Sequence, residues 1–143
     1  MSRRRDELVP DKPDVVVLES YLSSSERPTI HIDVQSLARL NELEALVQNL
    51  ASGKLQRVLL SHIADALWVP PLGEVELTVS ERDSNVSYEN RGEHLVCKWI
   101  ESTEGWLESA EKIAAMVASD RPCHQYFTSR HAASVTIELA YLE

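Results

Sequence analysis

A cysteine and a histidine stand side by side at Cys123-His124, directly after Pro122. These residue types suggest three roles: a thiol nucleophile with its base, half of a metal site, or the first residues of a strand. A catalytic pair needs its sulfur and a ring nitrogen within hydrogen-bond reach, and adjacent residues of a strand point to opposite faces. A base would therefore have to come from elsewhere, with His62 and His94 available. We interpret the pair as the start of a strand.

A zinc site is the second hypothesis, because thiolates and imidazoles are zinc ligands. The candidate donors are His94, Cys97, Cys123 and His124. Residues three apart or adjacent on a strand face opposite sides, so neither pair converges, and the C-x₂-C spacing of zinc ribbons is absent. The four glycines form neither a dinucleotide-binding motif nor a P-loop, and no G-x-S-x-G elbow occurs. The sequence therefore predicts no catalytic residue, no metal ligand and no cofactor.

Two segments have the apolar spacing of amphipathic helices. The first presents Leu37, Leu40, Leu43, Val47 and Leu50, and the second presents Leu107, Ala110, Ile113, Ala114 and Val117. Ser36 is the predicted N-cap of the first helix and Gly53 its C-terminal glycine. Ser102 or Thr103 is the predicted N-cap of the second.

Strands are predicted where apolar and polar residues alternate with a period of two. The segments are TIHIDV, EVELTVSE, HLVCKWIE, HQYFTS and SVTIELAYL. Residues 1–13 are polar, contain two prolines and are predicted to form a flexible arm before a single domain at residues 14–143. The predicted class is α+β, a mostly antiparallel sheet with two amphipathic helices packed on one face.

The two halves of this domain have the same order of elements: strand, helix, short strand, alternating strand. Residues 28–80 and 94–142 are therefore predicted to be half-repeats of a duplicated strand-helix-strand unit. An offset of 67 residues sets Leu40 on Leu107 and Glu44 on Glu111.

Charge and hydropathy exclude some classes of partner. The 143 residues include 14 Lys and Arg against 23 Asp and Glu, a net charge of −9. An acidic chain lacks the basic stripe of a nucleic-acid binder, and it suits a basic protein partner. No run reaches the roughly 18 apolar residues of a membrane span, and no secretory signal precedes the domain. We expect a cytoplasmic protein that binds neither nucleic acid nor membrane.

Acidic residues are dense in the middle of the chain, on and beside the strand EVELTVSE. Aromatic residues near them could anchor a partner at the centre of an interface, with carboxylates at its rim. The predicted partner-binding residues are Trp68, Glu74, Glu76, Asp83, Tyr88 and Glu89. We expect Trp68 to lie in an irregular segment beside two prolines.

The segments EGWLESAEKIAAMVASDRPCHQYFTS and ASVTIELAYL resemble the C-terminal portion of small immunity proteins of bacterial polymorphic toxin systems. The segments LARLNELEALVQNLASGKLQRVLLSHI and LWVPPLGEVELTV are similar to the helix-strand-loop-strand unit of such proteins. The resemblance covers residues 28–142, and Cys123 stands where the pattern has glycine. It implies a non-enzymatic inhibitor that occludes the active site of one cognate toxin, and it brings no catalytic residue.

Two alternatives remain open. One is a small enzyme that uses Cys123 or a histidine, which would require a thiol of depressed pKa. The other is a homo-oligomeric structural module that pairs through an edge strand such as SVTIELAYL. The expected oligomeric state is a monomer or a homodimer.

Overall fold

The computed structural model describes residues 16–22, 28–63, 66–128 and 135–143, so the predicted arm at residues 1–13 lies outside it. In these ranges the chain forms two helices and nine strands, which confirms the α+β class. The elements in chain order are β1 (Val16–Leu22), β2 (Pro28–Val34), α1 (Leu37–Ala51), β3 (Arg57–Leu59), β4 (Ala66–Trp68), β5 (Leu72–Val79), β6 (Asn85–Arg91), β7 (His94–Glu101), α2 (Thr103–Ser119), β8 (Cys123–Thr128) and β9 (Thr136–Tyr141).

The strands form two mixed sheets. Sheet A has the order β4-β1-β2-β9-β8, and sheet B has the order β3-β5-β7-β6. The pairs β2/β9 and β5/β7 are parallel, whereas the hairpins β1/β2, β6/β7 and β8/β9 are antiparallel. This corrects the expectation of a single sheet, whereas four of the seven pairings of the described strands are antiparallel. Periodicity shows which residues share a face of a strand, and it contains no information on which strand lies beside it.

Strands of both predicted half-repeats meet at the centre of each sheet. Residues 28–80 contain β2, α1, β3, β4 and β5, and residues 94–142 contain β7, α2, β8 and β9. Strand β2 pairs with β9 in sheet A, and β5 pairs with β7 in sheet B. Each half therefore contributes strands to both sheets. The descent of the halves from one ancestral unit stays a prediction.

The buried positions of the two helices correspond at an offset of 66 residues. Leu40 and Trp106 are both fully buried, whereas the 67-residue offset pairs Leu40 with Leu107, which is 47% exposed. The strands keep the offset of 67, because it sets buried Ile32 on buried Trp99. The segment between strand and helix is thus one residue shorter in the second half.

Helix α1 begins and ends as its sequence predicts. The Ser36 hydroxyl accepts a hydrogen bond from the backbone N–H of Arg39 at 3.2 Å, the bond of an N-cap. Gly53, with φ +82°, follows the last turn in a conformation that glycine adopts without strain. The buried face consists of Leu40, Leu43, Val47 and Leu50.

Helix α2 is rotated relative to the predicted apolar face. The Ser102 hydroxyl accepts from the N–H of Gly105 at 3.0 Å, and Asp120 ends the helix with φ +45°. The buried residues are Gly105, Trp106, Ser109, Ala110, Ile113 and Met116. Leu107 fitted the periodicity, but Trp106 precedes it by one residue and buries a larger apolar surface.

Trp106 connects helix α2 to sheet B, and its neighbour Trp99 continues the contact to sheet A. Its ring centroid lies 4.8 Å from that of Trp99 on β7, and the Trp99 centroid lies 5.0 Å from that of Phe127 on β8. The indole N–H of Trp106 donates to the backbone carbonyl of Thr78 on β5 at 3.0 Å. One apolar cluster contains residues of both sheets and both helices, with this aromatic group inside it.

Replacing Trp106 with Phe should lower the free energy of unfolding by about 2–4 kcal/mol. The substitution leaves the Thr78 carbonyl without its donor and leaves a void beside Trp99. Urea denaturation of both proteins, compared at a common slope, measures the difference. The neighbouring Leu107→Ala variant is the control, because this exposed position should cost less than about 0.5 kcal/mol. Equal losses in the two variants would contradict the burial of Trp106.

Candidate functional site

Three of the predicted partner-binding residues lie on the outer face of sheet B. Glu76 is paired in register with Lys98 on β7, and Lys98 with Ser87 on β6. Glu74 and Glu89 are both in register with Val96 on β7. The alternation along β5 therefore places glutamates outward and Val75 and Leu77 in the core, as the sequence predicts.

Basic side chains neutralise this outer face. The Nε of Arg57 donates to the carboxylate of Glu76 at 2.6 Å, and the Nε of Arg91 donates to Glu89 at 2.7 Å. The Nζ of Lys98 lies 3.5 Å from the carboxylate of Glu89. The hydrogen bond from Arg57 lowers the pKa of Glu76, and that from Arg91 lowers the pKa of Glu89. The outer face of sheet B thus has mixed charge instead of a uniformly acidic one.

Glu74 and Asp83 contact neither Arg57 nor Arg91 in the way that Glu76 and Glu89 do, and each has different surroundings. The carboxylate of Glu74 accepts a hydrogen bond from the backbone N–H of Ser61 at 3.0 Å, which fixes the turn before β4 against β5. Asp83 is exposed in the turn between β5 and β6. It lines an open depression of about 350 Å³ together with Arg82, Ser84, Asn85 and Ile100.

The two aromatic residues of the predicted set lie in different sheets. Trp68 lies on β4, at the edge of sheet A, where it pairs with buried Leu18 and packs partly buried against the core. This corrects its expected place in an irregular segment. Tyr88 is 42% exposed on β6. As a partner-binding set, the six residues stay a prediction.

A second polar surface, the outer face of sheet A, was not found from the sequence. One row across the strands joins Glu19, His31, Glu138 and Tyr126 in register. His31 Nδ1 lies 3.7 Å from the carboxylate of Glu19, and its Nε2 lies 4.0 Å from that of Glu138. The hydroxyl of Tyr126 donates to Glu138 at 3.4 Å, and the negative charge of Glu138 raises the pKa of Tyr126.

The next row of this face contains Asp33, Ala140 and His124 in register. Glu143 follows strand β9, and its two carboxylate oxygens lie 3.0 and 2.9 Å from Nδ1 of His124. The hydrogen bond and the charge of Glu143 raise the pKa of His124, with a smaller contribution from Glu138. Histidines and carboxylates therefore alternate across the centre and one edge of sheet A.

The composition of the strands distinguishes the two sheets. The strands of sheet A contain Glu19, Asp33 and Glu138 and neither Lys nor Arg within the described ranges. Those of sheet B contain Arg57, Arg91 and Lys98 among their glutamates. Two large apolar or aromatic residues are also exposed in sheet A, Leu67 at 54% and Tyr126 at 50%. Alternation in TIHIDV indicates that His31 and Asp33 share this face. The other residues of the face can be identified only once the order of the strands is known.

Neither cysteine forms a catalytic pair in the described part of the chain. Cys123 is in register with Tyr141 and His124 with Ala140, so their side chains lie on opposite faces of β8. The imidazole of His124 contacts Glu143 instead. Cys97 is fully buried, and burial raises its pKa to about 12, which keeps the thiol protonated.

The four donors considered for zinc are also divided between the sheets, with Cys97 on β7 and Cys123 on β8. Among the described residues, the donors that do come together are His124, Glu138 and Glu143. Sequence reasoning included only His124 of these three. The two glutamates are 14 and 19 positions further along the chain, and no short spacing indicates them.

No family model, curated protein or solved structure matches the chain. Neither helix in the described ranges has both the length and the apolar character needed to cross a membrane. Function must therefore be inferred from the faces of the two sheets.

In a Cys123→Ala variant, the remaining Cys97 should be alkylated by iodoacetamide on the order of 1000-fold more slowly than a free thiol near pH 8. The reason is that a thiol with a pKa of about 12 has very little thiolate at that pH. Mass spectrometry of timed samples gives the rate, and unfolding in guanidinium should restore it. The Cys97→Ala variant tests Cys123 in the same way. Rapid native alkylation of Cys97 would contradict its burial, and rapid alkylation of Cys123 would favour an enzyme.

The pH dependence of His124 should reveal its contact with Glu143. The pKa of His124 is higher in the folded state than in the unfolded state. The contact therefore contributes its full stabilisation below the unfolded pKa near 6.5. This stabilisation is lost as the pH rises through the folded pKa. NMR titration should give a lower pKa for His124 in Glu143→Gln. Glu138→Gln should lower it less, because Glu138 is the smaller cause. An unchanged pKa in Glu143→Gln would show that the contact does not form in solution.

Proposed function

We propose that the chain is a non-enzymatic protein-binding domain, an immunity protein that neutralises one bacterial toxin by occluding its active site. The proposed contact surface is the outer face of sheet A, and the proposed compartment is the cytoplasm. The observation that carries the surface is the composition of that face: carboxylates and an exposed tyrosine on strands without Lys or Arg. The resemblance to toxin immunity proteins supports the type of partner.

Charge supports a basic partner. The chain has a net charge of −9, and long-range attraction of this kind raises the rate of association with a basic protein. On the face itself, the side chains of Glu19 and Glu143 are 39% and 37% exposed. Carboxylates in such positions strengthen the attraction when the two proteins are close. They would contact basic substrate-binding residues of the toxin and cover them.

The rigidity of the face and an exposed aromatic residue on it support tight binding. Hydrogen bonds to neighbouring strands hold β1, β2, β9 and β8, so the face is ordered before binding, and association loses little backbone entropy. Tyr126 projects from β8 and is 50% exposed. A tyrosine on a rigid strand is the type of residue that dominates interface energies. The carboxylates beside it would form the polar rim.

Sheet B fits a basic partner less well. Arg57 and Arg91 on its outer face would approach the basic side chains of the partner, and like charges oppose binding. Glu76 and Glu89 would also have to lose their own basic neighbours before they could bind new ones. The two faces thus make different predictions for matched substitutions.

The test of function begins with affinity capture of a partner from a culture of the source organism, followed by its identification. The partner, expressed alone, should arrest growth of a test strain, and coexpression of this chain should restore growth. A stoichiometric complex should form from purified components, and the partner's activity should disappear in it. A captured partner that is harmless, or that stays toxic in the presence of this chain, would contradict the proposal.

Replacing Tyr126 with Ala should weaken binding of that partner by about 10-fold or more, mainly through faster dissociation. The matched control is Tyr88→Ala, which removes a similarly exposed tyrosine from sheet B and should change affinity less than about 3-fold. Surface plasmon resonance measures both rate constants. The reverse result would move the contact surface to the β6 edge of sheet B.

The charges can be compared in the same way. Glu19→Gln with Asp33→Asn removes two charges from sheet A, and Glu74→Gln with Asp83→Asn removes two from the side of sheet B. Each double variant removes two negative charges, so the variants differ only in where on the protein those charges were. The first should slow association more than the second, and the difference should shrink as salt increases. Equal effects would mean that the total charge, and not this face, attracts the partner.

A further inference from the structure

We propose that His124, Glu138 and Glu143 form a binding site for a divalent transition-metal ion of the zinc type. One imidazole nitrogen and two carboxylate oxygens, one from each residue, all lie within 4.8 Å of one another. Zinc bonds to such donors measure about 2.0–2.2 Å, so small rotations of the exposed side chains bring all three onto one ion. The site lies on the outer face of sheet A, which is also the proposed contact surface, but zinc binding can be tested without the toxin.

The strand pairing fixes two of the three ligands. His124 lies opposite Ala140, and Tyr126 lies opposite Glu138, on the antiparallel pair β8/β9. His124 and Glu138 are therefore diagonal neighbours on the same outer face of sheet A. Diagonal side chains on adjacent strands are within reach of each other when they are long, as these are. The backbone beneath them belongs to the sheet, which makes their spacing rigid.

The third ligand is placed by an uncommon backbone conformation. Leu142 has φ +58°, a left-handed conformation that a leucine rarely adopts. Its N–H donates to the carbonyl of Val34 at 3.0 Å, and its side chain packs against the core. The chain consequently turns after β9, and the Glu143 carboxylate reaches Nδ1 of His124 at 2.9 Å.

The donor types determine the class of ion. An imidazole with two carboxylates suits zinc and its neighbours in the first transition row, whereas Mg²⁺ and Ca²⁺ prefer oxygen ligands alone. Three protein ligands leave a coordination position for water, the arrangement of open zinc sites. Binding requires neutral His124, so the ion would take the place of the proton that Glu143 favours on this ring.

Neighbouring residues can orient the ligands. The Tyr126 hydroxyl lies 3.4 Å from one oxygen of Glu138, and His31 Nε2 lies 4.0 Å from the other. The ring of Tyr126 also contacts that of His124 edge-on, with centroids 5.2 Å apart. Contacts of this kind around metal ligands fix their orientation and raise affinity.

The test is calorimetric titration of the full chain with zinc chloride near pH 7.5, after removal of any purification tag and of bound metal. We expect one ion per chain with a dissociation constant in the micromolar range. Substitution of a residue that contacts a metal ligand typically weakens binding ~10–100-fold. His124→Ala removes a ligand and should weaken binding more than this, and Glu143→Gln should weaken it at least ~10-fold. His31→Gln, next to a ligand, should cost about 10-fold. Excess Mg²⁺ should not compete.

The control is His94→Ala, which removes an exposed histidine from sheet B and should leave affinity unchanged. NMR of the titrated protein should show the zinc-dependent shifts at the His124 ring. Circular dichroism of each variant establishes that the fold is intact. Stoichiometric binding that survives His124→Ala, ring shifts at His94 instead of His124, or affinity weaker than about 1 mM in the unsubstituted chain would each overturn the site.

Discussion

The parallel pairings β2/β9 and β5/β7 are the interactions on which the rest of the structure depends. Each is at the centre of its sheet, and each joins a strand of the first half to a strand of the second. The outer strands extend from these central pairs, and both helices contribute buried residues to the apolar cluster that contains Trp106. The pairing of β2 with β9 places His31 beside Glu138. The polar surface of sheet A therefore depends on strands from both halves of the chain.

Local structure was readable from the sequence because its causes are local. Ser36 and Ser102 cap helices through bonds that span three residues, and the alternation in β2 and β5 follows from the geometry of a single strand. The rotation of helix α2 was missed because Leu107 and Trp106 both fit an apolar stripe, and only the packed core distinguishes them. Strand order was missed for a related reason, since pairing depends on partners distant in sequence.

The candidate surfaces likewise depend on contacts between residues that are distant in the sequence. Alternation along one strand places Glu74 and Glu76 on the same face, as the structure does, but Arg57, which neutralises Glu76, precedes it by 19 positions. The outer face of sheet A combines residues from four strands that are dispersed along the chain. Its composition becomes visible only after the strands are placed in order. Net charge alone could not reveal that the acidic residues of the two sheets have different neighbours.

The position of strand β9 between β2 and β8 has a consequence for synthesis in the cell. Strand β2 ends at Val34, and its partner begins at Thr136, about a hundred residues later. At roughly 5–20 residues per second, the ribosome needs on the order of 5–20 s to supply the partner. During that time one edge of β2 is unpaired, and such edges attract other strands. A nascent chain of this topology therefore exposes that edge of β2 until synthesis is nearly complete, and a stop codon before Thr136 would leave the edge without its partner.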